Sequence, residues 1–409
     1  MGFIPTIPGD KPNPCGIVDF SNPEARAWYK KRLKELIAMG VRAFKTDFGE
    51  AIPEDACFYE GSGRYIHNKY PLLYNSLFYE AFAECGVQGL VWQRSGWAGI
   101  QNWPVSWSGD MLCNFPSFVC TIWGGLNYAL SGVPFWSNDI GGFKGTPSPE
   151  LYIRWAQFGL LSSFSRCHGT TPREPWVFGE KVLQIFKKYD ELRYRLIPYL
   201  YSYAWVAAKT GLPVMRPLVL HYQEDILARE FDTEYLLGKE ILVAPVTDEC
   251  EERTVYLPAG KWVDFWSDEI YDGNQIIKYN APMDKIPLFI RLNSIIPTTK
   301  VVQHIEDGVS DPLILDVYVE DRAEFTLQEA EHGVIEIVAT KTDSQIDVEI
   351  PDISRNLVLR IHHCPNPTDI TYNGKVLSPD VWTYQDSILT VKVIVSGLVK
   401  IRIDLITRN

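Results

Sequence analysis

The chain has 409 residues, enough for two to three domains of ~150 residues with a large buried core. Its 39 Lys and Arg against 51 Asp and Glu leave a net charge of −12, which argues against nucleic acid or an anionic membrane surface as the main partner. A hydrophobic content of 46% excludes a disordered chain, and no apolar run reaches the ~18 residues of a transmembrane helix.

Residues 1–15 lack a basic region followed by an apolar core, so they do not read as a secretory signal. Met1-Gly2 with Thr6 fits a myristoylation pattern as loosely as chance allows. Ser21 is expected to cap a helix, with Pro23 in its first turn, Glu24 as capping-box partner and Gly40 as the stop. Residues 41–44 then read as a strand running straight into the polar cluster Lys45-Thr-Asp-Phe-Gly-Glu50. The same pattern recurs with residues 89–92 before Gln93-Arg-Ser-Gly96, and with 133–136 before Ser137-Asn-Asp-Ile-Gly-Gly142. It recurs again with 160–164 before Ser165-Arg-Cys-His-Gly169, and 213–216 begins another short strand. Helix-sized segments lie between these units, the alternation of a parallel sheet or (β/α) barrel, whose catalytic face gathers polar residues at strand ends.

From about residue 240, β-branched alternation takes over. Strands are expected at 254–257, 286–291, 313–318, 334–339, 345–350, 357–362, 388–394 and 398–405, with turn signals between them. These read as one or two β-sandwiches. Cys15, Cys57, Cys85, Cys113, Cys120, Cys167, Cys250 and Cys364 have no zinc or CxxC spacing. Most are expected as small buried hydrophobes in a reducing compartment. A cytoplasmic location fits this and the lack of Asn-x-Ser/Thr acceptors.

Two carboxylates stand out. Asp47 ends a strand beside Lys45, and a nucleophilic carboxylate must be anionic, a state a neighbouring cation favours. Taken alone, Asp47 reads equally well as the cap of the next helix. Asp47-Phe48-Gly49 also spells a kinase magnesium motif, but no His-Arg-Asp segment precedes it. Asp110, in Trp107-Ser-Gly-Asp110, has the tight apolar setting that suits a general acid. Facing each other, the two would form the minimal apparatus of glycoside hydrolysis. Eight of the 13 tryptophans (Trp92, Trp97, Trp103, Trp107, Trp123, Trp136, Trp155 and Trp176) lie within 85 residues, offering flat faces to sugar C–H groups, although core packing is the expectation for any single one. Arg94, Asp139 and His168 end strands in the same register and offer hydrogen bonds to hydroxyls.

The segments 45–50, Arg94-Ser-Gly-Trp-Ala-Gly99, 107–110, Phe135-Trp-Ser-Asn-Asp-Ile-Gly-Gly-Phe143 and 165–169, in this order, resemble glycoside hydrolase family 31, most closely its bacterial α-xylosidase branch. Asp19-Phe-Ser-Asn-Pro23 and residues 237–245 match flanking segments, so the resemblance spans roughly residues 15 to 300. It implies a partial TIM-type (β/α)8 barrel over 1–222, a proximal β-sandwich over 223–300 and a distal one over 301–409. It further implies a retaining α-glycosidase with Asp47 as nucleophile and Asp110 as acid/base, their carboxyl groups about 5–5.5 Å apart. Lys45, Phe48, Arg94, Trp107, Asp139, Phe143 and His168 would bind the sugar, with Lys45 and Phe48 as the α-xylosidase-like choice.

No metal or cofactor is implied, and the expected partner is an α-linked oligosaccharide or glycoside. Family members also carry an N-terminal β-sandwich and three barrel strands ahead of the segment matching 19–23, which makes a homo-oligomer or a separate N-terminal portion the expected protein partner. Those strands carry residues that select xylose over glucose. An α-glucosidase, a sulfoquinovosidase and a catalytically incomplete carbohydrate-binding fragment are the rival readings.

Overall fold

The computed structural model describes residues 16–103, 105–305 and 311–406. The myristoylation pattern and Cys15 lie outside the described residues. The helix Pro23–Ala38 is capped by Asn22 and not by Ser21: the Asn22 side chain accepts from the Glu24 amide at 2.9 Å. Ser21 is instead drawn to Asp19, to whose carboxylate its hydroxyl donates at 2.5 Å. Gly40, at φ 105°, turns the chain out of the helix into the first strand.

Five strands follow: β1 Ala43–Thr46, β2 Leu90–Gln93, β3 Val105–Trp107, β4 Phe135–Asp139 and β5 Phe164–Arg166. They lie side by side in chain order, all parallel, with Lys45 opposite Trp92, Gln93 opposite Ser106, Trp107 opposite Ser137 and Asp139 opposite Arg166. Helices Tyr70–Glu84, Phe115–Leu130 and Pro149–Leu160 cross between them and cover one face. Parallel strands require such crossovers. The sheet is part of a barrel and is not closed, because among the described residues β1 and β5 have no strand on their outer edges.

The strand beginning near Pro213 is not a sixth barrel strand. Met215–Pro217 pairs antiparallel with Tyr235–Leu237, at the edge of a six-stranded antiparallel sheet. Its residues are all buried there, which explains an apolar run that looks like a barrel strand. The third unit is a nine-stranded sheet. Two pairs of expected strands are fused in it: Gln345–Ile361 and Ile388–Leu405 are single long strands. A register shift between Ile350 and Ile353 takes up Pro351, and Gly397 at φ 73° lies opposite Ile353, so both strands bend together and keep pairing.

The seven described cysteines are free, but only Cys364 is buried, whereas Cys57, Cys120, Cys167 and Cys250 are exposed. They sit on hairpin, helix and loop surfaces and not in the apolar layers. Among the described residues no helix is long and apolar enough to cross a membrane.

Candidate active site

The polar side chains converge at the C-terminal ends of the parallel strands, the end where adjacent strands fan out and open a concave surface. Asp47 follows β1, Arg94 follows β2, Asp110 lies three residues beyond β3, Asp139 and Arg166 close β4 and β5, and His168 lies two residues beyond β5. Fully buried Asn75, on helix Tyr70–Glu84, fastens the first two strand ends. It accepts from the Thr46 hydroxyl at 2.5 Å and donates to the Ser95 carbonyl at 3.1 Å. The residues bearing Asp47 and Arg94 are thereby tied to one helix.

Arg94 is the hub. Its Nη1 lies 3.2 Å from Asp47 Oδ1 and 3.5 Å from Asp110 Oδ2, and its Nη2 lies 3.0 Å from Glu50. The sum of the first two distances bounds the gap between those carboxylate oxygens. That bound is compatible with the ~5–5.5 Å of retaining glycosidases and only reaches the short end of the ~6.5–9.5 Å inverting range. Lys45 stands on the other side of Asp47 at 3.5 Å and over the Trp107 ring at 4.4 Å. Phe48 packs beneath Arg94 at 5.0 Å.

The far wall is a second ionic pair. Arg166 meets both oxygens of Asp139, at 2.5 and 3.2 Å, and its guanidinium stacks near Trp92 and Trp107 at 5.0 and 5.5 Å. Asp139 is 1% exposed, and burial pushes its carboxyl above the ordinary range with Arg166 opposing. Burial and then Arg166 push His168 below the usual histidine value, which leaves a neutral imidazole near pH 7. The His168 ring lies 5.4 Å from that of Phe143. Arg173 steadies this loop by donating to the carbonyls of Gly142, Phe143 and Gly145.

The structure thus brings Lys45, Asp47, Phe48, Arg94, Trp107, Asp110, Asp139, Phe143 and His168 into one network. Of the eight tryptophans between residues 92 and 176, only Trp92 and Trp107 meet its cations among the described residues. Trp136 and Trp155 are core, while Trp97, Trp123 and Trp176 are exposed, so aromatic density alone overstates the number at the site. Sequence reasoning missed Asn75 and Arg166 as site residues. Arg166 lies inside the segment 165–169, directly opposite Asp139, and an acid and a cation facing each other across adjacent strands was the usable signal. A cavity of about 190 Å³ opens beside Asp47, walled by Phe20, Tyr29, Ile52, Tyr70 and Tyr74. Among the described residues no group of His, Cys and carboxylates is arranged to hold a metal.

Comparison with known proteins gives a consistent picture. The profile of the glycosyl hydrolases family 31 TIM-barrel domain matches residues 4–203, and that of the family 31 C-terminal domain matches 211–296. The α-xylosidase XylQ of Lactiplantibacillus pentosus is 38% identical over 362 residues, covering 81% of this chain and 47% of the relative. An α-xylosidase of Emericella nidulans is 34% identical over 353 residues, covering 82% and 45%. A family 31 dextranase of Flavobacterium johnsoniae, solved with glucose, superposes with a TM-score of 0.90 at 30% identity, over 98% of this chain and 57% of that one. The chain spans about half the length of the curated relatives it matches.

Proposed function

Since the chain belongs to glycoside hydrolase family 31, on two profiles that together cover more than two thirds of it, we propose that it carries the catalytic centre of a retaining α-glycosidase acting on terminal α-xylosyl residues. The observation that carries the reading is the single guanidinium nitrogen of Arg94 shared between Asp47 and Asp110.

Asp47 attacks the anomeric carbon while Asp110 donates its proton to the glycosidic oxygen, the C–O bond breaks, and a glycosyl ester forms on Asp47. Asp110, now a carboxylate, takes a proton from water, whose oxygen displaces Asp47 and releases the sugar with its α configuration. Asp139 with Arg166, and neutral His168, supply hydrogen bonds for hydroxyls. Phe143 and Trp107 offer apolar faces to the ring. Lys45 and Phe48 favour xylose over glucose in this reading.

The open edges of β1 and β5 belong to the same proposal. A companion portion, either a separate N-terminal segment or a second copy, completes the barrel and thereby the substrate pocket. The test compares aryl α-xyloside, α-glucoside and α-sulfoquinovoside, with and without that portion, on the wild type and Asp47→Ala. Faster turnover of the xyloside that disappears in Asp47→Ala supports the reading. Turnover indifferent to Asp47→Ala would overturn it.

A further inference from the structure

We propose that the cleft between the second and third units binds a small oxyanion, phosphate or a phosphate ester, through Arg216, Lys239 and Arg291. None of these residues belongs to the catalytic network. Two tight turns shape the cleft. Gly238, at φ 68°, follows the strand Tyr235–Leu237, and a Cβ there would collide with the Tyr199 hydroxyl and the Tyr203 ring. Only glycine lets this turn pack on the helix Ile197–Thr210, which leaves the next residue, Lys239, facing the cleft. Asn293, left-handed at φ 64°, accepts the Glu320 and Asp321 amides of the third unit at 2.7 and 3.0 Å. Beside these turns open two hollows of about 530 and 320 Å³, which share Lys239 and Glu324.

The carboxylates in the hollows are already engaged. Lys261 holds Glu320 at 2.5 Å, Arg322 holds Glu324 at 3.5 Å, and Glu336 accepts from the Thr326 hydroxyl at 3.0 Å. Glu240 is 3% exposed and accepts from the hydroxyls of Tyr199 and Tyr203 at 2.9 and 2.6 Å. Among the described residues Arg216 and Arg291 have no carboxylate within 4.0 Å, and Lys239 reaches only Glu240, at 4.0 Å. Arg216 is the anchor, because it is 3% exposed and a buried charge normally keeps a counter-ion. Its Nε donates to the Pro213 carbonyl at 2.8 Å, its Nη1 donates to His221 Nε2 at 3.2 Å, and its guanidinium lies over the Tyr203 ring at 5.0 Å. Its Nη2 has no hydrogen-bond partner among the described residues. Partial burial, then the charges of Arg216, Arg291 and Lys239, push His221 down to about 4, so the imidazole is neutral and the three cations act on one place. A phosphate group suits them, since a guanidinium gives it paired N–H bonds and an ammonium a point charge.

The experiment titrates the full chain with inorganic phosphate by isothermal calorimetry, with sodium chloride holding the ionic strength constant. The hollows take no residue from β1 or β5, so no companion portion is required. The expected result is saturable binding of one phosphate per chain, with a Kd on the order of 1 mM or tighter. Arg291→Gln and Lys239→Gln, both at exposed positions, should each weaken binding at least about tenfold and leave the unfolding midpoint unchanged. Lys278→Gln removes the same charge from a residue lining neither hollow and should leave Kd unchanged. Glucose 6-phosphate, titrated alone and against saturating phosphate, separates the two sources. Tighter binding than phosphate assigns a phosphorylated sugar, equal or weaker binding assigns the free anion, and both support the site. Unsaturable heats in the wild type overturn the proposal. Wild-type affinity in Arg291→Gln or Lys239→Gln, or an equal loss in Lys278→Gln, overturns it as well.

Discussion

Arg94, at the ends of the parallel strands, spreads one positive charge over three carboxylates at 3.0–3.5 Å, and all four groups keep access to water. Arg355, in the distal sheet, holds the single carboxylate of Glu329 through two bonds of 2.5 and 2.7 Å, and both side chains are 3% exposed. The first arrangement sets three carboxylates around Arg94, with Lys45 beside one of them, and leaves them reachable; the second pairs a cation with the Glu329 carboxylate and buries both. A sealed pair is a structural debt, since removing either partner strands a buried charge. An open, unbalanced cluster contributes little to stability and is available for chemistry.

The sharpest way to break this contrast is Asp47→Ala. Hydrolysis should fall on the order of 10⁴-fold or more while the denaturation midpoint barely moves, as steady-state kinetics and a urea titration on the same preparation would show. A large loss of stability would erase the distinction between the two regions. Glu329→Gln should do the opposite. It is expected to cost about 3–5 kcal/mol in chemical denaturation and to leave turnover per folded chain unchanged.

Asn75 lies between the two cases, being fully buried yet attached to the strand ends that carry Asp47 and Arg94. Asn75→Ala should cost about 1–3 kcal/mol and also slow hydrolysis per folded chain. A stability cost with no change in rate would show that the strand ends hold their places without it.

The smallest effect expected is a pH dependence. His362 faces Asp268 of the second unit through Nδ1 at 2.9 Å and Asp316 of the third through Nε2 at 3.3 Å, with Arg360 also on Asp316 and His363 also beside Asp268. Burial disfavours its charge, but the two carboxylates more than offset this and raise it above the ordinary 6.5. Its contribution is therefore complete below about pH 6.5 and is lost as pH rises through the raised folded value. The denaturation free energy should fall by on the order of 1 kcal/mol across that window, and His362→Gln should flatten the fall. The same slope in both proteins would exclude His362 as its source.

What the sequence revealed follows the same division. Strand ends were legible because an apolar run that stops in a polar, glycine-containing cluster has few other uses, so the alternation and the converging carboxylates could be read in advance. Asn75 could not be, since a polar residue in a helix declares itself buried only once that helix packs on β1 and β2. In the distal sheet, the polar stretch around residues 351–356 reads as a turn. Only the partner strand, bending at Gly397, shows that Pro351 sits in a bulge and the strand continues. Burial of Met215–Pro217 is equally a property of its neighbours in the antiparallel sheet.

The central claim, that Asp47 and Asp110 act as nucleophile and acid/base across Arg94, is tested most directly by the anomeric configuration of the first sugar released from an aryl α-xyloside, followed by proton NMR before mutarotation. The account predicts that the α anomer appears first and equilibrates later. First release of the β anomer would mean a single displacement by water and would contradict it.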